Sequence, residues 1–163
     1  MVVNELPREV IQKLRSGVAI STLSQAVEEL VCNSIDARAV SVDVSVCVAS
    51  GFVEVRDNGV GMDLADLLRC GNRYCTSKIG SLSDLRCVRT LGYRGEAVAS
   101  IGEIAILTIQ TQAGHSGETM EKRIKGGQVM TAGLSSSDRG PGTTITVRDM
   151  FFNVRRPCVD MAM

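Results

Sequence analysis

The chain has 163 residues, with 18 basic and 18 acidic side chains and a formal net charge of zero. That length suits one domain with a real core, and the charge balance excludes whole-domain attraction to nucleic acid while leaving room for a local basic patch. Aromatic residues make up only 3% and tryptophan is absent, which argues against a platform of stacked aromatics for single strands.

Residues 7–15 (PREVIQKLR) predict a short helix with Pro7 in its first turn, stopped by Ser16-Gly17. Residues 21–35 predict a longer helix capped by Ser21 or Thr22. At about 100° per residue, Leu23, Val27, Leu30, Val31 and Ser34 fall on one side of it. Glu29, Asn33 and Asp36 cluster within roughly 60° on the flank of that stripe. They form either a wet edge or a face turned to something that needs both a carboxylate and a carboxamide.

Val40, Val42, Val44, Val46 and Val48 alternate without a break, the two-residue period of a half-buried strand. Ala49-Ser50-Gly51 reads as a turn, and FVEVRD returns as the second strand of a hairpin. DNGVGM then forms a loop, and DLADLLRC (63–70) a short helix. Residues 71–92 read as a long loop, of the kind that in compact domains is functional or disordered. Residues 94–101 resume as helix, and EIAILTIQTQ, the stretch 118–125 and TTITVRD predict three more strands. GLSSSDRGPG approaches low complexity. The expected fold class is α/β: a two-layer α+β sandwich, its mostly antiparallel mixed sheet carrying helices on one face.

The six cysteines, Cys32, Cys47, Cys70, Cys75, Cys87 and Cys158, contain no C-x2-C pair, and the sole histidine is His115, so zinc ligation is not expected. Cys32, Cys47, Cys70 and Cys87 sit among apolar neighbours, as small buried residues in a reducing compartment do. The opening MVVNELPREV lacks the apolar centre of a signal peptide, and no apolar run approaches the roughly 20 residues of a membrane span. The expectation is a soluble intracellular protein.

Several short stretches carry chemistry. Asp57 ends a strand before two glycines, where a carboxylate can accept from an exocyclic amine; an ordinary Asp-Asn-Gly turn is the alternative. LGYRGEAVASI sets Gly92 and Gly95 around an aromatic and an arginine just before a helix, which exposes backbone N–H groups to an anion or serves as a hinge. It is neither a Walker loop nor the dinucleotide fingerprint. TSK at 76–78 adds two hydroxyls and an ammonium, and GPGTTITV leads Thr143 into a strand.

Together ELVCNSIDA, DNGVGM, TSK, LGYRGEAVASI and GTTITVRDMFFN resemble the ATPase domain of the MutL mismatch-repair family, within the superfamily shared with DNA gyrase, the Hsp90 chaperones and histidine kinases. The form G-[FY]-R-G-E-A points to MutL, and QKLRSGVAI and GNRYCTSK lean toward the eukaryotic third MutL homologue, the MutL-gamma subunit. The resemblance implies a Bergerat-type ATPase fold over residues 1–153, with 154–163 a divergent or truncated tail and with the second and endonuclease domains absent. It implies ATP and Mg²⁺ as cofactors, with Asn33 as the metal ligand and Glu29 as the catalytic base that orients and deprotonates the attacking water. Asp57 would read the adenine amine, helped by Gly61 and by Thr143 through water. Ala37, Met62, Thr76, Ser77, Gly92, Tyr93, Arg94, Gly95 and Ala97 complete the implied nucleotide contacts, while Asp36 is structural. The implied setting is the nucleus, in mismatch repair and meiotic recombination, where ATP drives amino-terminal dimerisation with another MutL homologue on DNA. A nucleotide-binding module without turnover is the alternative, and a chaperone or kinase relative a third reading.

Overall fold

A computed structural model describes residues 20–72 and 96–152. The helix expected at 7–15, most of the 71–92 loop and the tail from 154 lie outside the described residues, as do Thr76, Ser77, Gly92, Tyr93, Arg94 and Gly95.

The first described helix, α1, is Leu23–Asp36. Thr22 caps it from an extended backbone, its hydroxyl accepting from Gln25 N–H at 3.1 Å, while Gln25 Oε1 accepts from Ser21 N–H at 3.0 Å. The two residues that compete for the cap in the sequence thus both serve the first turn. The buried line is Ala26, Leu30 and Ser34, with Leu23, Val27 and Val31 packed partly against the core. The helix stops in a Schellman turn: Arg38 N–H bonds Ile35 O at 2.9 Å and Ala39 N–H bonds Ser34 O at 3.1 Å. Arg38 takes φ 60° there, at a position that favours glycine.

Six strands follow among the described residues: β1 (Val42–Cys47), β2 (Phe52–Asp57), β3 (Ile106–Gln112), β4 (Met120–Lys125), β5 (Gln128–Leu134) and β6 (Gly142–Arg148). Among the described residues, two short helices lie between β2 and β3: α2 (Leu64–Arg69), capped by Asp63, and α3 (Ala97–Ile104). The sheet order is β1-β2-β6-β3-β4-β5, and each of these pairings is antiparallel. The expected mostly antiparallel sheet is thus found, with every pairing among the described residues antiparallel. One correction is β5, which the sequence reading passed over. It pairs with β4 around Gly126 and Gly127, both at positive φ, a two-glycine hairpin turn.

Leu30, Leu67 and Ile101 from the three described helices meet Val53, Val55, Leu107, Ile109, Ile124 and Val147 from the sheet in one core. One face of the sheet is thus covered, while Glu54, Arg56, Thr144 and Thr146 alternate onto the other. β1 departs from the half-buried expectation. Val44, Val46 and Val48 are exposed, because β1 is the sheet's edge and only Val42 reaches the core's margin. Cys47 is exposed too, contrary to the buried cysteines expected, and a hydrogen bond from Ser50 lowers its thiol pKa. Cys32 and Cys70 are partly buried, and Cys87 lies outside the described residues.

Lys122 is the unexpected member of the interior. It is fully buried beside Ile124, and its ammonium donates to Leu68 O at 2.8 Å, Cys70 O at 2.7 Å and Leu67 O at 3.3 Å. Those carbonyls close α2, and Leu68 O also accepts from Asn72 Nδ2 at 3.3 Å, so a strand side chain helps to cap a helix C-terminus. Cys70, in the same turn, has its thiol pushed up to about 11 by burial; Lys122 pulls it down and Asp66 pushes it up.

Candidate nucleotide site

β6 enters the sheet between β2 and β3, and this brings Thr143 to Asp57. Thr143 pairs with Thr111 of β3, and Thr144 pairs with Arg56 of β2. Gly142 makes the crossing possible: it sits at φ 120°, and a Cβ there would fall 2.2 Å from Asp57 O.

Asp57 is 7% exposed, and its carboxylate is held from three sides. Oδ1 accepts from Gly59 N–H at 2.9 Å and from Thr143 N–H at 3.1 Å, and Oδ2 accepts from Ser34 Oγ at 3.1 Å. A carboxylate has more lone-pair directions than these three donors use, so it can accept again. The loop after it is pinned at both ends. Val60 N–H bonds Ala37 O at 3.0 Å, and a Cβ on Gly59 would lie 2.6 Å from that oxygen. Gly61, at φ 67°, presses on Gln112 so closely that a Cβ would lie 2.0 Å from its carbonyl oxygen. Asn58 ties the loop back, accepting from Val40 N–H at 3.0 Å and Ser41 N–H at 2.9 Å.

Thr111 joins the loop to β6. Its hydroxyl accepts from Met62 N–H at 2.9 Å, lies 3.0 Å from Gly142 O and shares a 3.2 Å hydrogen bond with Thr143 Oγ1. Ala37, Asp57, Gly61, Met62 and Thr143, which the sequence places far apart, are therefore joined in one network. Glu29 and Asn33 lie along α1 beside the buried Ser34, both partly exposed; Asp36 is also partly buried. Ala97 opens α3, which packs against α1.

Three contributors were missed by the sequence reading. Ser34 was assigned to the apolar stripe, although a lone serine on such a stripe is itself a signal. Thr111 was one polar residue in a strand of alternating side chains. Arg139 was hidden in the low-complexity stretch. Among the described residues there is no cluster of His, Cys, Asp or Glu fit to cage a metal, and no helix long and apolar enough to cross a membrane.

The family model of histidine kinase-, DNA gyrase B- and HSP90-like ATPases matches residues 20–136. The chain belongs to that ATPase family. Within it the chain resembles mismatch-repair proteins. It is 44% identical over 156 residues to DNA mismatch repair protein Mlh3 of Homo sapiens, covering 93% of this chain and 11% of that protein. It is 39% identical over 157 residues to MLH3 of Arabidopsis thaliana (94% and 14%), and 36% identical over 154 residues to MutL of Fervidobacterium nodosum (94% and 26%). The chain thus spans about a tenth to a quarter of the length of these relatives. A solved amino-terminal domain of a DNA repair protein superposes with a TM-score of 0.68 at 28% identity, covering 88% of this chain and 40% of that one. The Aquifex aeolicus MutL ATPase domain complexed with ADP has the same fold, with a TM-score of 0.64 at 24% identity, covering 83% of this chain and 45% of that one. The fold and the family match agree on this ATPase family, and the curated relatives it resembles are MutL and MLH3 mismatch-repair proteins.

Proposed function

We propose that residues 1–153 form the nucleotide-binding module of a MutL-type mismatch-repair protein of the third-homologue kind, taking ATP with Mg²⁺. The observation that carries this is the Asp57 carboxylate, buried at a strand end, fixed by two backbone N–H groups and a hydroxyl, with accepting capacity left over. It suits the exocyclic amine of adenine, whereas guanine offers a carbonyl oxygen at the corresponding ring position and meets a carboxylate badly. Thr143, Gly61, Met62 and Ala37 form the wall around it. The glycine-rich residues 92–95, Thr76, Ser77 and Ala97 are assigned to the phosphates.

Glu29 and Asn33 divide the remaining work. Magnesium prefers oxygen ligands and usually keeps phosphate oxygens and water rather than a protein cage. A single carboxamide oxygen on a rigid helix, with no acidic cluster among the described residues, fits that donor set. When bound, the ion would neutralise phosphate charge. Asn33 would hold it, and Glu29, one turn earlier on the same flank, would orient a water and accept its proton.

The relatives' names support a role in DNA mismatch repair; the wider reading follows the resemblance in the sequence: an amino-terminal region that pairs with another MutL homologue on DNA, in the nucleus, during repair and meiotic recombination. A module that binds nucleotide without turnover is the second reading. Calorimetric titration of the chain with Mg²⁺-ADP and Mg²⁺-GDP tests the site, and ATP turnover separates the two readings. Equal binding of the two nucleotides, or no binding of either, would overturn the adenine assignment.

A further inference from the structure

The connection from β5 to β6 carries Arg139, and its backbone is tied down. Arg139 N–H donates to the buried Thr119 Oγ1 at 3.0 Å, and that hydroxyl lies 3.3 Å from Asp138 Oδ1 and 3.4 Å from Arg139 O. The side chain crosses to the site, where Nη2 donates to Asp57 O at 2.9 Å. This is the same oxygen that a Cβ on Gly142 would strike. The guanidinium and the backbone of β6 therefore converge on one carbonyl, on the chain that presents the carboxylate.

Arg139 is held there at a cost. Its Nε and Nη1 atoms are buried without a hydrogen-bond partner among the described residues, and burial works against its charge. The Asp57 charge favours the cation, and Arg56 works against it. An apolar side chain would fill the space without that penalty. What an apolar chain lacks is the donor to Asp57 O and the positive charge facing Asp57.

We propose that Arg139 is a positioning residue for base recognition: its hydrogen bond to the Asp57 carbonyl fixes the strand end so that the carboxylate stays aligned to accept from an adenine amine. This deepens the nucleotide reading above and rests on it. Arg139 itself does not touch the base. It acts through the Asp57 backbone, so its loss should lower selectivity for adenine as well as affinity.

The test is calorimetric titration of the 163-residue chain with Mg²⁺-ADP and Mg²⁺-GDP, for wild type, Arg139→Met, Arg139→Lys, Asp57→Asn and the Asp57→Asn/Arg139→Met double variant. Arg139→Met should weaken ADP binding about tenfold and GDP binding far less, with Arg139→Lys recovering part of the loss. In the Asp57→Asn background, Arg139→Met should add almost nothing, because the group it positions is gone. Three outcomes would overturn the role: unchanged ADP affinity in Arg139→Met, equal losses for ADP and GDP, or the full loss repeated in the double variant. Where Arg139→Met fails to fold, Arg139→Lys and Arg139→Gln carry the same comparison. Loss of binding in Asp57→Asn with none in Arg139→Met sinks this inference alone; no loss in Asp57→Asn sinks the nucleotide reading with it.

Discussion

Replacing Asp57 by asparagine changes one oxygen into an amide group and hardly alters shape. The structure shows how the protein would absorb it. The remaining oxygen can keep the Gly59 and Thr143 N–H groups, at 2.9 and 3.1 Å. The new amide then faces Ser34 Oγ, which can turn its proton to Leu30 O at 3.2 Å and accept instead. Every protein hydrogen bond is replaced, so the fold should survive with a loss of about 1 kcal/mol, since bonds to a carboxylate exceed those to an amide. The ligand side is different. An adenine amine that met an acceptor now meets a donor, and losing a hydrogen bond to a charged acceptor costs about 1.5–3 kcal/mol. At ~1.4 kcal/mol per decade, that is roughly a tenfold to hundredfold rise in the ADP Kd. Guanine offers an oxygen there, so GDP should lose less or gain. Titration of both nucleotides, with thermal unfolding as a control, reads each half separately. An Asp57→Asn chain that folds normally and binds ADP as wild type does would refute the adenine assignment.

Glu29→Ala should retain Mg²⁺-nucleotide binding while abolishing turnover, whereas Asn33→Ala should weaken binding, with the loss shrinking when magnesium is withheld; normal behaviour of both would leave that flank a solvated edge. Lys122→Met should lower stability in urea by about 2 kcal/mol, because the carbonyls ending α2 lose their donor although the desolvated charge is relieved; equal stability would show that the capping contributes nothing net. Arg38→Gly should raise stability by about 0.5–1 kcal/mol, since the residue sits at φ 60°; a loss would mean that the arginine side chain contributes more than its backbone strain.

What the sequence disclosed followed from periodicity and local chemistry. The α1 stripe, the β1–β2 hairpin and the Thr22 cap are local, and the structure holds them within a few residues of where the pattern puts them. The Asp57 loop was legible only in company with the other motifs, since an Asp-Asn-Gly turn is common between strands; in the structure Gly59 and Gly61 both abut backbone oxygens. Burial was less legible. An alternating valine strand looks half-buried in any sheet, but its exposure depends on whether another strand lies beyond it, and for β1 none is described. Lys122 was invisible for the opposite reason: MEKRIK places it inward by alternation, yet a lysine is assumed solvated until something supplies acceptors, and those come from α2, more than 50 residues earlier. Arg139 likewise reaches a partner 82 residues away in sequence.

The insertion of β6 between β2 and β3 also dictates the order in which the chain can be completed during synthesis. The β1–β2 hairpin and the β3–β4–β5 meander can each form from neighbouring segments, but neither touches the other within the sheet until residues 142–148 arrive. Until then β2 and β3 each present an unpaired edge, the arrangement most open to mispairing with other chains. Closing the sheet joins segments separated by about 90 residues, a slow step by the measure of contact order. The last of the described strands also delivers Thr143 to Asp57, so capture of an adenine nucleotide should occur only after these six strands have joined and would favour the closed sheet over its two open halves.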